Sequence, residues 1–173
     1  MKLFTGIELS VDFVVPFSEL KLMNKHLEGI KWTRPESYHI TTYYLGETSP
    51  LLLNNLLKKI EKVASRNKSI SLDFKKFGFS PGKNPSMLWA YFKLNFEFQK
   101  LCNEISTAAD CCMPSRFKPV PHISIARLKK PHRFYQPIFD VEIPKKLTAK
   151  KVHLWQSKIG GRYDVLQSFN LVG

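Results

Sequence analysis

The two halves of this 173-residue chain carry the same order of sequence patterns, and this repeat limits the possible folds more than any other feature. In each half, the pattern of apolar and polar residues predicts a strand, a helix and a second strand that contains a histidine. These segments lie at residues 3–9, 17–30 and 37–45, and again at 87–94, 96–112 and 122–128. Leu3 and His39 are 36 residues apart, and Met87 and His122 are 35 residues apart. We therefore predict a single domain over 1–173 formed by internal duplication, with halves at about 1–80 and about 86–173.

Further segments favour a mixed fold over a regular alternation of strands and helices. A helical pattern begins at Pro50. Strand patterns follow at 70–79, before a Ser-Pro-Gly turn at 80–82, and at 148–156 and 163–172. Because strands and helices are mixed without a clean βαβα order, we predict the α+β class.

The chain is strongly basic. It has 27 Lys and Arg residues against 14 Asp and Glu residues, which gives a formal net charge of +13. A field of this sign attracts polyanions and raises the rate at which they meet the protein. RNA, DNA or a phosphorylated ligand is therefore the expected partner, and a lysine-rich solubilising surface is the alternative.

The cysteines and the hydropathy bear on the compartment. The sequence has three cysteines, which are Cys102, Cys111 and Cys112. An odd number of cysteines favours a reducing compartment. The absence of a Cys-x-x-Cys pair disfavours a structural zinc site. The N-terminal apolar stretch contains Glu8 and Asp12 and lacks a signal-peptide cleavage pattern. No window approaches about 18 uncharged apolar residues, so no membrane span is expected. We predict a cytoplasmic protein.

Both histidine-bearing strands place an imidazole and a hydroxyl group on one face. Side chains two residues apart in a strand point to the same side, so His39 lies beside Thr41 and His122 lies beside Ser124. Equivalent strands of a duplicated chain tend to lie about a pseudo-twofold axis. The two faces would then enclose one small anion between two imidazoles and two hydroxyl donors.

This arrangement suits phosphodiester chemistry. An in-line displacement at phosphorus needs a base on the attacking oxygen and an acid on the leaving oxygen, on opposite sides. Histidine titrates near neutral pH and can serve in either role, so the residues alone leave open which imidazole is the acid. The hydroxyl groups and a nearby cation would stabilise charge on the non-bridging oxygens.

Other interpretations of the histidines are weaker. A Ser or Thr two residues after a histidine is common by chance, and a strand histidine is often only a half-buried, hydrogen-bonded residue. No Asp, Glu or Cys accompanies His39 or His122 at ligand spacing, so we predict no metal and no other cofactor. The absence of Gly-x-Ser-x-Gly disfavours a serine nucleophile. We expect His26 and His132 at the surface and His153 in a structural role.

Four segments, spread from end to end, match one known pattern. They are YHITTYYLGE at 38–47, MLWAYF at 87–92, PVPHISIAR at 119–127 and SKIGGRYDVLQSFNL at 157–171. The first and third resemble the two His-x-[Ser/Thr] signatures of the 2H phosphoesterase superfamily, and the other two resemble its intervening strand and its C-terminal strand pair. Within that superfamily the chain resembles the ThpR/LigT-type RNA 2′,3′-cyclic phosphodiesterases, once called 2′-5′ RNA ligases.

The resemblance implies a bilobal fold, with two pseudo-symmetric antiparallel sheets facing a central cleft and helices outside. It also implies metal-independent hydrolysis of 2′,3′-cyclic phosphates, on RNA ends or cyclic nucleotides, to 2′-phosphates. His39 resembles the general acid that protonates the leaving 3′ oxygen, and His122 resembles the general base that activates water. Thr41 and Ser124 match the phosphate-binding hydroxyls, with Ser124 standing where Thr is common. Arg127 matches an arginine that contacts phosphate.

Four further assignments are less constrained by the pattern. Arg127 is five residues after His122, which is the wrong parity for the same strand face, so it reaches the cleft only if the strand twists or ends there. Tyr44, Phe79 and Tyr163 lie near turns or strand ends and are candidates for stacking on a nucleobase. Packing in the core is the alternative role for each of these aromatic rings.

Two other functions stay open from the sequence. A basic RNA-end binding module would use the same cleft without catalysis. A 2′-5′ RNA ligase or 2′-5′ phosphodiesterase would use it on a different substrate. Nothing in the sequence requires a second chain to complete the site, which favours a monomer.

Overall fold

The computed structural model describes residues 1–80, 84–109, 119–129 and 135–173 and confirms the α+β class. The elements in chain order are β1 (Lys2–Glu8), α1 (Val11–Met23), β2 (Ile30–Trp32), β3 (His39–Glu47), α2 (Leu53–Ala64), β4 (Ile70–Ser80), β5 (Met87–Phe92), α3 (Phe96–Ala108), β6 (His122–Leu128), β7 (Lys146–Ala149), β8 (Lys151–Lys158) and β9 (Arg162–Asn170). Short 3₁₀ turns at Pro35–Ser37 and Pro50–Leu52 precede β3 and α2.

The named strands form one open antiparallel sheet in the order β7-β4-β5-β6-β3-β1-β8-β9. Its two halves meet between β3 and β6 through a single residue pair, Ile40 opposite Ile123. Further along β6, the short strand β2 takes over the pairing on residues 126–128. The two halves of the sheet correspond to the two expected lobes, joined at this pair.

Each half of the sheet combines strands from both halves of the chain. Strand β4, from the first half of the sequence, pairs with β5, and β8, from the second half, pairs with β1. The pairing of strands therefore does not follow the order of the repeat. The duplication over about 1–80 and about 86–173 stays a prediction.

One predicted helix lies elsewhere than expected. Helix α1 begins at Val11 and ends at Met23, whereas the sequence pattern predicts a helix over 17–30 that starts after Pro16. Pro16 lies inside the observed helix and is buried. The helix is fixed by packing against the core, because its buried apolar side chains are one or two turns apart, at Phe13, Phe17 and Leu20.

The other sequence predictions differ from the structure mainly in short elements. The patterns do not predict β2 or β7, because strands of three and four residues are too short to show alternation. The helix predicted over 96–112 is confirmed as far as Ala108. Residues 110–112, and positions 81–82 of the predicted turn, lie outside the described part of the chain.

In strand β5 one face packs in the core and the other face is left partly exposed. In β5, Leu88, Ala90 and Phe92 are buried, and the alternate residues are only half-buried. The buried face joins the apolar sides of all three helices in one cluster of contacts. No helix in the described residues is long and apolar enough to cross a membrane.

Candidate active site

The two predicted catalytic histidines open equivalent strands at the junction of the two half-sheets. His39 is the first residue of β3 and His122 is the first residue of β6. Each precedes by one residue the isoleucine that makes the single pair joining the halves. The hydroxyl residue of each motif follows this isoleucine by one position, at Thr41 in β3 and at Ser124 in β6.

Both imidazoles are held through the same ring nitrogen. Nδ1 of His39 lies 2.8 Å from the carbonyl oxygen of Ser37, and Nδ1 of His122 lies 2.8 Å from the carbonyl oxygen of Val120. A carbonyl oxygen only accepts hydrogen bonds, so Nδ1 is the donor in each ring. In the neutral form, Nε2 of each histidine is then a free base, and in the charged form it is an N–H acid.

Burial lowers the pKa of both imidazoles. For His39, desolvation is the largest cause, the hydrogen bond to Ser37 opposes it, and the charge of His122 lowers the pKa further. For His122, desolvation again dominates and the bond to Val120 opposes it. The electrostatic effect of His122 on His39 means that protonating one ring disfavours protonating the other. An acid–base pair with one shared charge has this property.

Aromatic rings fix the orientation of both histidines. The His122 ring stacks on Trp89, with centroids 3.7 Å apart and an interplanar angle of 22°. The His39 ring is surrounded at centroid distances of 4.8, 5.0 and 5.4 Å by Phe4, Tyr163 and Trp155. These contacts restrict each ring to a narrow range of orientations, and Trp89 covers one face of the His122 ring.

A β-bulge in β6 places Arg127 on the cleft face. Two consecutive residues of β5 lie opposite Ser124 and Ala126, which leaves Ile125 as an extra residue. Ile125 and Ala126 are both fully buried, so the alternation shifts by one position at the bulge. Arg127 therefore shares the face of Ser124 although it is five residues from His122. The parity expected from the sequence did not allow for this bulge.

Strand β3 has a bulge at the equivalent position. Thr42 has no partner on β1, and its buried hydroxyl donates to Oγ1 of Thr5 at 2.7 Å. In both strands the extra residue is therefore the third one after the histidine. By the same shift in alternation, Tyr44 occupies in β3 the position that Arg127 occupies in β6. Tyr44 is 59% exposed.

Five of the eight predicted site residues line a basic cleft of about 390 Å³, a volume within the range of small-ligand sites. Of the predicted residues, the structure brings together in its lining His39, Thr41, Ser124, Arg127 and Tyr163. Two further cations, Lys31 and Arg34, also line it, and no described lining residue is Asp or Glu. The cleft is therefore suited to an anion.

Sequence reasoning missed the two additional cations, Lys31 and Arg34. Lys31 lies on β2 directly opposite Arg127 on β6. The available signal was the run KWTR at 31–34, close before the first histidine motif. Because β2 itself was not predicted, nothing in the sequence placed this run against the second histidine strand.

Three other predicted site residues, His122, Tyr44 and Phe79, are not among the residues that line this cleft. Phe79 lines a separate cavity beside β4 and β5. His26 is exposed, as expected. His153 is buried, with Nδ1 2.8 Å from the Ser168 hydroxyl. The described residues contain no group of three or more His, Cys, Asp or Glu side chains placed to hold a metal ion.

The cysteines do not contribute to the site as far as the structure describes them. Cys102 is buried in α3, and burial raises the pKa of its thiol. Cys111, Cys112 and His132 lie outside the described residues.

An open antiparallel sheet that presents two His-x-[Ser/Thr] strands to one basic cleft defines a phosphoesterase class of protein. Comparison with known families agrees. Residues 17–160 match the 2′-5′ RNA ligase superfamily, and the chain belongs to that superfamily.

Two curated relatives carry the same name. The RNA 2′,3′-cyclic phosphodiesterase of Thermotoga maritima is 26% identical over 149 residues, covering 83% of this chain and 79% of the relative. The RNA 2′,3′-cyclic phosphodiesterase of Aquifex aeolicus is 26% identical over 116 residues, covering 64% of this chain and 58% of the relative.

Solved structures share the fold. The protein TT0787 of Thermus thermophilus superposes with a TM-score of 0.85 at 22% identity, covering 100% of this chain and 99% of that one. Escherichia coli LigT in its apo form superposes with a TM-score of 0.80 at 20% identity, covering 99% and 98%. LigT has also been crystallised with 3′-AMP.

Proposed function

We propose that this protein is a metal-independent RNA 2′,3′-cyclic phosphodiesterase that uses His39 and His122 as its acid–base pair. The observation that carries the proposal is that two imidazoles, each held through Nδ1, begin the two strands that meet at the centre of the sheet, while His39 and the hydroxyl residues Thr41 and Ser124 line one basic cleft there. Membership of the superfamily and the names of both curated relatives support the activity. The nucleotide seen with LigT supports RNA ends or cyclic nucleotides as the partner.

The proposed step is an in-line displacement at phosphorus. Nε2 of His122 takes a proton from water, and the water oxygen forms a bond to phosphorus. The bond between phosphorus and the ribose 3′ oxygen breaks, and His39 gives its Nε2 proton to that oxygen. The 2′ oxygen keeps its bond, so the product is a 2′-phosphate with a free 3′ hydroxyl. Solvent then restores the two histidines to their starting protonation states.

The remaining cleft residues act on the phosphate oxygens. Thr41 and Ser124 donate hydrogen bonds to the non-bridging oxygens. Arg127 supplies a guanidinium group, which holds oxyanions more firmly than a hydroxyl does. Lys31 and Arg34 add positive charge at the rim of the same cleft.

A second candidate activity is 2′-5′ ligation, which the description of the matched superfamily favours. If the 5′ hydroxyl of another RNA replaces water in the same step, the attack on phosphorus and the loss of the 3′ oxygen give a 2′-5′ linkage. The two activities differ only in the nucleophile that enters the cleft.

The first experiment uses a short RNA that ends in a 2′,3′-cyclic phosphate, in the presence of EDTA, with products identified by ³¹P NMR. Wild-type protein is compared with His39→Ala and His122→Ala, and with His26→Ala as an exposed-histidine control. General acid–base groups contribute typically about 10²- to 10⁴-fold, so we expect losses of that size in the two cleft variants only.

The outcomes separate the candidates. Conversion to a 2′-phosphate by wild type and His26→Ala supports the proposal. Near-full activity in either cleft variant contradicts two-histidine catalysis, and loss of activity in EDTA contradicts metal independence. Binding without conversion identifies an RNA-end binding module. A 2′-5′ linkage formed after adding an RNA with a free 5′ hydroxyl identifies the ligase.

We also propose that the protein acts as a monomer, because the proposed reaction needs no residue of a second chain. Sedimentation equilibrium at assay concentrations tests this directly. The cytoplasmic location expected from the cysteines stays a prediction.

A further inference from the structure

A second cavity, of about 430 Å³, lies beside His122. We call this cavity the β4–β5 pocket. It is lined by Phe79 and Phe92 and by six further residues, which are Lys75, Lys76, Gly78, Tyr91, Leu94 and Val120. The proposed reaction does not use this pocket.

The pocket begins next to the catalytic histidine and extends away from it across the sheet. Tyr91 of β5 lies opposite His122 of β6, and Lys76 of β4 lies opposite Tyr91. Paired residues on neighbouring strands share a face, so these three side chains form a row on the cleft side. Two strand spacings place the Lys76 backbone about 10 Å from that of His122. Val120, whose carbonyl holds the His122 ring, lies at the inner end.

A bulge in β4 presents two adjacent lysines at this pocket. The register of β4 on β5 shifts between Phe74 and Lys76, which makes Lys75 an extra residue. Phe74 and Phe77 pack against the core, and the two lysines between them are exposed. Within the described part of the chain neither lysine has a carboxylate partner, so both are available to a ligand.

The floor of the pocket is apolar and aromatic. A Cβ atom at Gly78 would lie 3.2 Å from Cε2 of Tyr91, so glycine at this position leaves the tyrosine ring uncrowded. Leu94 is 62% exposed at the outer side. Lysines that follow a backbone, combined with an aromatic ring on which a base can stack, are the elements of a single-strand nucleic acid site.

The opposite side of the cleft has the opposite charge. A cavity of about 320 Å³ beyond His39 is lined by Glu8 and Glu36 and by no Lys or Arg among its described residues. Carboxylates repel phosphodiester groups, whereas Lys75 and Lys76 attract them. Of the two cavities that flank the cleft, the β4–β5 pocket is therefore the one suited to an RNA backbone.

We propose that the β4–β5 pocket binds the nucleotides immediately upstream of the cyclic phosphate, with Lys75 and Lys76 on phosphodiester groups and Tyr91 against a base. This inference rests on the proposed function and narrows its substrate class. The preferred substrate is the end of a single-stranded RNA chain rather than a free cyclic mononucleotide.

The test compares two substrates with the same reacting group. One is adenosine 2′,3′-cyclic phosphate, and the other is a single-stranded tetranucleotide ending in adenosine 2′,3′-cyclic phosphate. The variant is the double substitution Lys75→Ala/Lys76→Ala. The matched control is Lys58→Ala/Lys62→Ala, which removes the same charge from exposed positions on α2. Circular dichroism and thermal unfolding establish that both variants are folded.

We expect wild type to prefer the tetranucleotide by about tenfold or more in kcat/KM, since each stacked base and phosphate contact adds binding. The Lys75→Ala/Lys76→Ala variant should lose most of that preference and keep its rate on the mononucleotide within about twofold. For the tetranucleotide, log(kcat/KM) falls with log[salt], and the slope should be smaller in magnitude by about 1 to 2 in this variant than in wild type. The α2 control should behave as wild type on both substrates.

Equal kcat/KM for the two substrates in wild type, or equal losses on both substrates in the pocket variant, would overturn the inference and leave the proposed function standing. An equal effect of the α2 control would assign the preference to net charge and overturn it as well. If wild type hydrolyses neither substrate, the proposed function fails and the inference fails with it.

Discussion

At the scale of single residues, the two histidines are placed by features that a sequence does not display. Their identities and the hydroxyls two residues later were predicted, because alternation in a strand is enough to put them on one face. The carbonyl oxygens of Ser37 and Val120, which set the tautomers of the two histidines, were not predicted. Every residue has a carbonyl group, so the sequence does not indicate which ones bind an imidazole. The stacking of Trp89 on His122 also depends on a register that only the folded sheet defines.

The lowered pKa values of both histidines predict an acidic optimum. In the proposed mechanism His122 is the base and must be neutral, so activity should fall at low pH, and His39 is the acid and must be charged, so activity should fall at high pH. Because burial lowers both pKa values, the centre of the bell should lie below about 6.5, the ordinary histidine value.

The measurement is kcat/KM against pH, because this ratio reports the free enzyme. A cyclic phosphodiester carries its single negative charge throughout this range, so both limbs belong to the protein. A centre at pH 7 or above, or a flat profile, would contradict the assigned acid–base pair.

At the scale of elements, the bulges in β3, β4 and β6 explain where parity arguments from the sequence fail. Strand β6 was predicted with its observed bounds, yet the extra residue Ile125 reverses the face of every residue after it. The segment FKKF at 74–77 shows the same effect, with two exposed lysines between two packed aromatic rings. In the sequence, a bulge shows only as a break in the alternation of apolar and polar residues. The side chains that a bulge moves to the other face of a strand are therefore identified only from the structure.

The bulge in β6 predicts a role for Arg127 that its sequence position alone disfavours. Replacing it with Gln removes a charged donor from the cleft and should lower kcat/KM by about tenfold or more, because a hydrogen bond to a charged group contributes about 1.5–3 kcal/mol. Arg127→Lys should recover part of the loss, since it restores the charge without the planar fork.

Steady-state kinetics on a cyclic mononucleotide provide the measurement, with Lys62→Gln on α2 as the charge-matched control. Wild-type kcat/KM in Arg127→Gln would show that the guanidinium does not contact the phosphate. Unchanged thermal stability in Arg127→Gln is expected, because the side chain is exposed.

At the scale of the whole molecule, the sheet creates the site by joining two half-sheets at one residue pair. Pairing at Ile40 and Ile123 alone allows β3 and β6 to separate on either side of it, which opens room for a ligand between the histidines. The class and the motif positions were predictable because each depends on local patterns. The pairing of β4 with β5 and of β8 with β1, which places each of these strands beside one from the other half of the chain, was not predictable. Pairing between distant segments has no local signature in the sequence.

Building the site from buried imidazoles makes the stability of the fold depend on pH. Desolvation lowers the pKa of His39, His122 and His153, although the charge of Glu8 partly opposes this at His153. In the unfolded chain all three titrate near about 6.5. As pH falls below that value, the unfolded state binds protons that the folded state does not yet accept, so the free energy of unfolding decreases. The stabilising contribution is complete above about pH 6.5 and is lost as pH falls through the lower folded values.

Urea unfolding at several values between about pH 8 and about pH 5.5 measures this effect apart from that of the carboxylates. Burial raises the pKa of Glu104, but hydrogen bonds from Asn67 and Arg66 lower it overall. The contribution of Glu104 to the free energy of unfolding is therefore lost only below the ordinary carboxyl range.

We expect the free energy of unfolding to fall toward pH 5.5, with a slope of at most about 1.4 kcal/mol per pH unit for each histidine. In His122→Ala the slope should be smaller, because one of the three groups is gone. A free energy of unfolding that is constant or higher at pH 5.5 would mean that the histidines are not held neutral in the folded protein, and the acid–base pair would then lack the environment that the cleft is proposed to provide.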